Sequence, residues 1–290
     1  MTDDNPIRAR LAGKVANSEA IIGGGAGTGL SAKCAQAAGL DLIVIYNSGR
    51  FRMAGRSSMA GLMPYGDANA IVMEMGAEVL PVVESIPVFA GVCGTDPFRS
   101  MPQFLDEVQR MGFTGVQNYP TVCLFDGVIR ANLEETGLGF GKEVEMIRLA
   151  RERGLMTMAY VHDEDEAGAM TEAGADILVP HMGLTTSGMI GAQTAMTLDD
   201  AAMRVSELQK VIAHHNPNAT VLCHGGPIAG PEDAEYILSN VAGVHGFLGA
   251  SSMERLPTEV AMVDRMRRFV DLSTRNQPQN GAASRSKGDS

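Results

Sequence analysis

Residues 219–256, ATVLCHGGPIAGPEDAEYILSNVAGVHGFLGASSMERL, decide the fold. Val221, Leu222 and Cys223 form a short apolar run that stops at His224-Gly225-Gly226-Pro227. A second run, Val244 to Leu248, stops at Gly249-Ala250-Ser251-Ser252. Between them Gly230-Pro231-Glu232-Asp233 opens a helix, with proline and acids where a first turn favours them. Two strands that each end in small residues ahead of a helix are the pattern of the last two βα units of a TIM barrel. Such loops leave backbone N–H groups free, and beside a helix N-terminus these hold an anion. Ordinary glycine-rich turns give the same spacing. On the anion reading, Gly225, Gly226, Gly249, Ala250 and Ser251 bind a phosphate or carboxylate.

The same unit repeats upstream. Strands are expected at residues 20–23, 41–46, 88–93, 114–117, 155–160 and 176–179, each followed by small or polar residues and a helical pattern. DLIVIY at 41–46 is nearly all apolar, as a parallel strand covered on both faces must be. Eight βα alternations close most simply as a (β/α)8 barrel, a doubly wound open sheet being the alternative. Ile7, Leu11 and Val15 at helical spacing make a short N-terminal helix over the barrel floor. Residues 1–275 read as one barrel domain and the polar stretch 276–290 as a disordered tail.

Composition limits the partners. The chain has 290 residues, 45% hydrophobic, with no apolar run long enough to cross a bilayer. A net charge of -11 excludes a nucleic acid polymer as partner, because phosphate contact needs clustered Lys and Arg. A small anionic metabolite stays compatible, since one pocket can be positive on an acidic protein. Cys34, Cys93, Cys123 and Cys223 are scattered, which fits reduced thiols and a cytoplasmic location. No apolar segment with a cleavage site opens the chain. Around Gly23 to Gly29 no glycine triplet fits G-x-G-x-x-G, and the acid expected after the second strand is missing, so a dinucleotide site is disfavoured.

Strand ends nominate the chemistry. His162, His181 and His224 follow the fifth, sixth and seventh strands, in a chain with six histidines. A histidine there can act as general acid or base or hold a developing negative charge, although a lone one is more often a hydrogen-bonded core residue. His181 leads the three, because Thr185 and Thr186 behind it supply hydroxyls. Gly24 and Gly25 after the first strand, Asn47 after the second and Asn118 after the fourth join the substrate-binding set by position. The stretch 47–65, NSGRFRMAGRSSMAGLMPY, reads as a long mobile loop with Arg50, Arg52 and Arg56 and no acid. Such a loop suits a lid over a carboxylate or phosphate, with Arg50 in the catalytic set, and equally suits a subunit contact. A His/Cys zinc site is disfavoured, since Cys223 and His224 are adjacent on a strand and face opposite sides.

Four runs together carry a resemblance: IIGGGAGTGLSAK, YNSGRFRMAGRSSMAGLMPYGDAN, VPHMGLTTSGMIGA and HGGPI. They resemble the phosphoenolpyruvate hydrolase-like TIM-barrel family of the phosphoenolpyruvate/pyruvate superfamily, and are similar to the barrel at the C-terminal end of a plant tobamovirus-resistance protein. The resemblance implies a phosphoenolpyruvate-like or 2-oxoacid ligand at the C-terminal face, hydrolase or lyase chemistry there, and Mg²⁺ as cofactor. One departure bears on the metal. Relatives of the phosphonomutase type hold Mg²⁺ with an acidic cluster after the third strand and a glutamate after the fourth; here only Asp96 and Asn118 stand in those places, which leaves Asp96 as the metal ligand. The resemblance also implies a homo-oligomer through the last helix, with Ala261, Met262, Met266 and Phe269 as contact residues, although packing on the protein's own barrel explains these residues equally well. A non-catalytic barrel that binds a metabolite, nucleotide or protein is the alternative. Convergence of Arg50, Arg56 and His181 on one pocket favours the enzyme, and their dispersal favours the binding module.

Overall fold

The computed structural model describes residues 5–272. The expected tail at 276–290 lies outside the described residues. Eight parallel strands form a closed barrel in sequential order: β1 Ile21–Gly25, β2 Leu42–Ile45, β3 Val88–Val92, β4 Gly115–Asn118, β5 Met156–Val161, β6 Ile177–Pro180, β7 Thr220–Cys223 and β8 Gly246–Gly249. Closure is made by β8 on β1, in register from Ile21 opposite Gly246 to Gly24 opposite Gly249. Six of these strands, all but β1 and β7, are buried along their whole length. Interior side chains fill the barrel and helices cover its outside, so near-continuous apolar runs are what the architecture requires.

The helices follow in order: α1 Pro6–Ala16, α2 Gly29–Ala37, α3 Asn47–Met53, α4 Ala68–Val79, α5 Met101–Met111, α6 Gly127–Glu135, α7 Gly141–Glu152, α8 Glu164–Glu172, α9 Leu198–His215, α10 Pro231–Asn240 and α11 Arg255–Val270. Local signals set their ends. Asp163 caps α8 through the Glu166 N–H, and Thr197 and Asp200 form a reciprocal capping box on α9. The acids of residues 163–165 therefore serve the helix, as their position predicts.

At the floor, α1 closes the barrel as the Ile7, Leu11 and Val15 spacing predicts. Leu11 is buried, and Ile7 and Val15 pack against the core. Polar contacts fasten the helix. Arg10 and Lys14 reach Asp41, which precedes β2, at 3.0 and 2.6 Å, and Arg8 reaches Asp176, which precedes β6, at 2.8 Å. Each carboxylate also accepts a strand N–H, from Ile22 and Thr157 respectively.

Residues 47–65 correct the sequence reading. They form α3 and a 3-10 turn, Ser58–Leu62, instead of a long loop. Asn47, Ser48, Gly49 and Arg52 of α3 are buried against the barrel. The helix after β8, α11, starts at Arg255, which is its buried residue. Val260, Met262, Met266, Phe269 and Val270 of α11 are exposed. No described helix is long and apolar enough to cross a membrane.

Candidate active site

A cavity of about 270 Å³ opens at the C-terminal mouth of the barrel. Its walls come from β2 and α3 (Tyr46, Ser48, Arg52), the 3-10 turn (Ser58, Met59), the ends of β4 to β7 (Tyr119, Tyr160, His181, His224), the loop after β6 (Gly183 to Thr185) and the loop after β8 (Ala250, Ser251). Its lining holds one guanidinium, two imidazoles, three phenols and several hydroxyls, and no carboxylate.

The backbone fixes which nitrogen of each imidazole carries the proton. His181 Nδ1 accepts the Gly183 N–H at 3.0 Å, so the proton of the neutral ring sits on Nε2. His224 Nδ1 lies 2.6 Å from the Leu248 carbonyl, an acceptor only, so its proton sits on Nδ1. That leaves His224 Nε2 as a lone pair, 3.3 Å from the Tyr160 hydroxyl, which donates to it. The two rings are 4.7 Å apart, centre to centre, and each packs on Tyr160 at about 5 Å. Burial keeps both rings neutral: it pushes His181 well below the usual imidazole range, with His224 and His162 adding to the effect, and pushes His224 down to about 4. Burial also raises the Tyr119 and Tyr160 phenols, so both remain protonated donors.

Arg52 reaches the cavity from α3 and pairs behind it with the buried Glu254, its Nε lying 2.8 Å from Oε2. Burial opposes the Arg52 charge, but the Glu254 carboxylate outweighs it and raises the guanidinium pKa. Glu254 also accepts the Gly27 N–H at 2.6 Å, which ties the loop after β1 to the start of α11.

Several of the residues nominated by strand position meet in this cavity: His181, His224, Thr185, Ala250 and Ser251. The rest are elsewhere. His162 stands behind His181, its Nδ1 bonded to the His181 carbonyl at 2.9 Å. Arg50 points outward and pairs with Glu74 and Glu78 on α4, and Arg56 is exposed, so the arginine that meets His181 is Arg52. Asn118 is spent inside the protein: it donates to Glu143 on α7 at 2.7 Å and to the Tyr160 carbonyl on β5, and accepts the Tyr160 N–H. Burial pushes the Glu143 carboxyl up to about 8, against the donors Val122 N–H, Thr121 and Asn118. Asn47 donates to the Gly61 carbonyl and lines an adjoining cavity of about 610 Å³, which also contains Asp96.

Gly225 and Gly226 hold positive φ, +79° and +58°, and a Cβ on either would run into the Gly183 or Met182 carbonyl. They shape the turn that seats His224; the Gly226 N–H goes to the Gly183 carbonyl and the Thr186 N–H to the Gly226 carbonyl. Gly24, Gly25 and Gly249 lie within β1 and β8. The residues that strand-end reasoning passed over are Tyr46, Ser48, Arg52, Tyr119 and Tyr160. A signal for the phenols was present: three of the chain's five tyrosines sit where β2, β4 and β5 end.

The family model of the phosphoenolpyruvate hydrolase-like proteins matches residues 6–272. The chain belongs to that family. It is 58% identical over 267 residues to the ToMV susceptible protein tm-1(GCR26) of Solanum lycopersicum and 57% identical to the ToMV resistance protein Tm-1(GCR237) of the same plant, covering 92% of this chain and 35% of each. It thus spans about a third of the length of these curated relatives. Among solved structures, phosphonopyruvate hydrolase in complex with oxalate and Mg²⁺ superposes with a TM-score of 0.56 at 17% identity, covering 91% of this chain and 88% of that one. At that identity the likeness concerns the fold.

Proposed function

We propose that this family member is an enzyme that acts on a phosphoenolpyruvate-like or 2-oxoacid anion by hydrolase or lyase chemistry at the mouth of the barrel. The observation that carries the reading is the charge pattern of the cavity: Arg52, two neutral imidazoles and hydroxyls with no carboxylate among them. At about 270 Å³ it lies just below the roughly 300 Å³ at which drug-sized sites begin, so a ligand of three or four carbons fits better than a nucleotide. Arg52 faces the anionic end, His181 Nε2–H donates to an oxygen that gains charge during reaction, and the Tyr160–His224 pair exchanges the proton. Oxalate, bound by the phosphonopyruvate hydrolase of the same fold, is the natural probe.

The test is a thermal-shift screen of phosphoenolpyruvate, phosphonopyruvate, oxaloacetate and oxalate, with turnover followed for any that bind. Ligand at a hundred times its Kd adds about 2.7 kcal/mol to stability, and each kcal/mol moves the Tm of a domain this size by roughly 2–4 °C. A shift of several degrees is expected for at least one. Turnover that survives His181→Ala would remove the catalytic assignment, and no shift with any anion would sink the reading.

A second reading, a barrel that binds a partner without catalysis, draws support from the dispersal of Arg50 and Arg56 and from the tomato relatives' names. In either case we place the protein in the cytoplasm as a homo-oligomer that covers Met262, Met266 and Phe269 of α11.

A further inference from the structure

We infer that the barrel mouth binds its anion without a divalent cation, with the Arg52 guanidinium and the His181 Nε2–H in the place of the metal. The inference rests on the functional reading above and concerns how that same site holds its ligand. Mg²⁺ demands six oxygens near octahedral geometry and is usually fixed by one or two carboxylates. The lining of the 270 Å³ cavity contains none.

Asp96, the carboxylate that the family resemblance leaves for the metal, is spent: Oδ1 accepts the Phe98 N–H at 2.9 Å, and Oδ2 accepts Asn69 at 2.9 Å and Arg99 at 2.6 Å. Burial opposes its ionisation, and these donors outweigh burial and hold its carboxyl below the usual range. Arg99, at 2.6 Å, also puts a positive charge where a cation would need to sit. Glu143 is buried and accepts Val122 N–H, Thr121 and Asn118, each at 2.7 Å. Glu254 holds Arg52 and the Gly27 N–H. None of the three lines the 270 Å³ cavity, and the described residues contain no group of three or more His, Cys, Asp or Glu able to hold a metal ion. The residues present therefore do not fit Mg²⁺.

The work left by a missing cation is to neutralise a carboxylate and to polarise a carbonyl oxygen. The cavity contains groups for both. Arg52 gives Nε and Nη2 to Glu254, which leaves Nη1 to donate to a carboxylate in the cavity. Because His181 Nδ1 is taken by the Gly183 N–H, the only hydrogen this neutral ring can donate is on Nε2, and no protein group described takes it. Ser58 and Ser251 hydroxyls, 3.5 Å apart, flank the same space. Neutral donors in a largely dry site stabilise charge without having to reorganise.

The experiment is calorimetric titration of the full chain with oxalate, once in EDTA and once in excess Mg²⁺, on wild type and on His181→Gln and His181→Phe with folding checked by Tm. The expected result is a wild-type Kd that agrees within about twofold between the two conditions. In EDTA, His181→Phe weakens binding about tenfold or more, and His181→Gln, which keeps an N–H donor, weakens it less. Tightening of tenfold or more by Mg²⁺ overturns the inference and leaves the functional reading standing. Binding by His181→Phe in EDTA as tight as wild type overturns the role given to Nε2–H. Absence of oxalate binding in both conditions overturns the functional reading, and this inference with it.

Discussion

The floor and the mouth of this barrel use charge in opposite ways. At the floor, Asp41 and Asp176 stand at the starts of strands, and every one of their obligations is met inside the protein: Arg10 and Lys14 serve the first, Arg8 and Arg151 the second, and strand N–H groups serve both. The cavity there, about 400 Å³, is bounded by Arg8, Arg151 and Asp176 and by His245. At the mouth the carboxylates are withdrawn behind the wall, and the cavity is left with donors in excess. One end spends its polar groups on fastening α1. The other keeps some unspent, which is what a binding site needs.

The largest test of this contrast concerns the one ion pair that backs the mouth. Arg52 and Glu254 have side chains 1% and 3% exposed, so the pair itself is buried although Arg52 borders the cavity. Removing one member of such a pair strands a buried charge and costs about 3–5 kcal/mol. Arg52→Ala is expected to lower the urea-unfolding free energy by that amount, with Gly27 and the start of α11 loosened because Glu254 also holds the Gly27 N–H. A loss below about 1 kcal/mol would show that the pair behaves like a surface contact and that the mouth is wetter than its packing indicates.

The residues behind this pair show where sequence reading stops. Strands were legible because a parallel strand covered on both faces must be apolar throughout, and β2, LIVI, can be little else. His181 and His224 were legible because strand ends feed the mouth. The stretch 47–65 misled because its glycines, serines and arginines resemble a solvated loop, whereas Asn47, Ser48 and Arg52 are buried by contacts with distant residues. Choosing Arg52 over Arg50 also requires the phase of α3. Positions two apart on a helix point to nearly opposite sides, and only the partners, Glu254 for one and Glu74 and Glu78 for the other, say which side is inside. The glycines of the HGG turn were visible, but their cause was steric contact with the loop after β6, which no spacing within the motif contains.

A smaller effect separates the two ends by pH. In the unfolded chain a histidine titrates near 6.5; in the folded protein burial holds His224 at about 4. Between those values the unfolded state binds the extra proton, so stability rises with pH there and is lost as pH falls from about 6.5 towards 4. The full effect is on the order of 3 kcal/mol. The difference in unfolding free energy between wild type and His224→Gln is expected to shrink across that window and to be flat above it. At the floor His245 is lowered in the same direction by burial but is only part-buried, so its own Gln variant should show a shallower slope. Equal slopes at both ends would erase the distinction between a dry mouth and a wetter floor.

The smallest expected effect is at the floor itself. Arg10 is 44% exposed and lies 3.0 Å from Asp41, which looks on paper like the mouth's pair. The surroundings differ. Asp41 retains Lys14 at 2.6 Å and the Ile22 N–H at 2.9 Å when Arg10 is gone, so no charge is stranded, and water takes the place of the lost fork. Exposed pairs of this kind contribute about 0.2–1 kcal/mol and weaken with salt. Arg10→Ala should therefore cost less than about 1 kcal/mol in urea unfolding at low ionic strength and still less in 1 M salt, while the cost of Arg52→Ala stays nearly constant. A floor variant as damaging and as salt-insensitive as the mouth variant would mean that α1 is locked on as tightly as the core, and that both ends are closed in the same way.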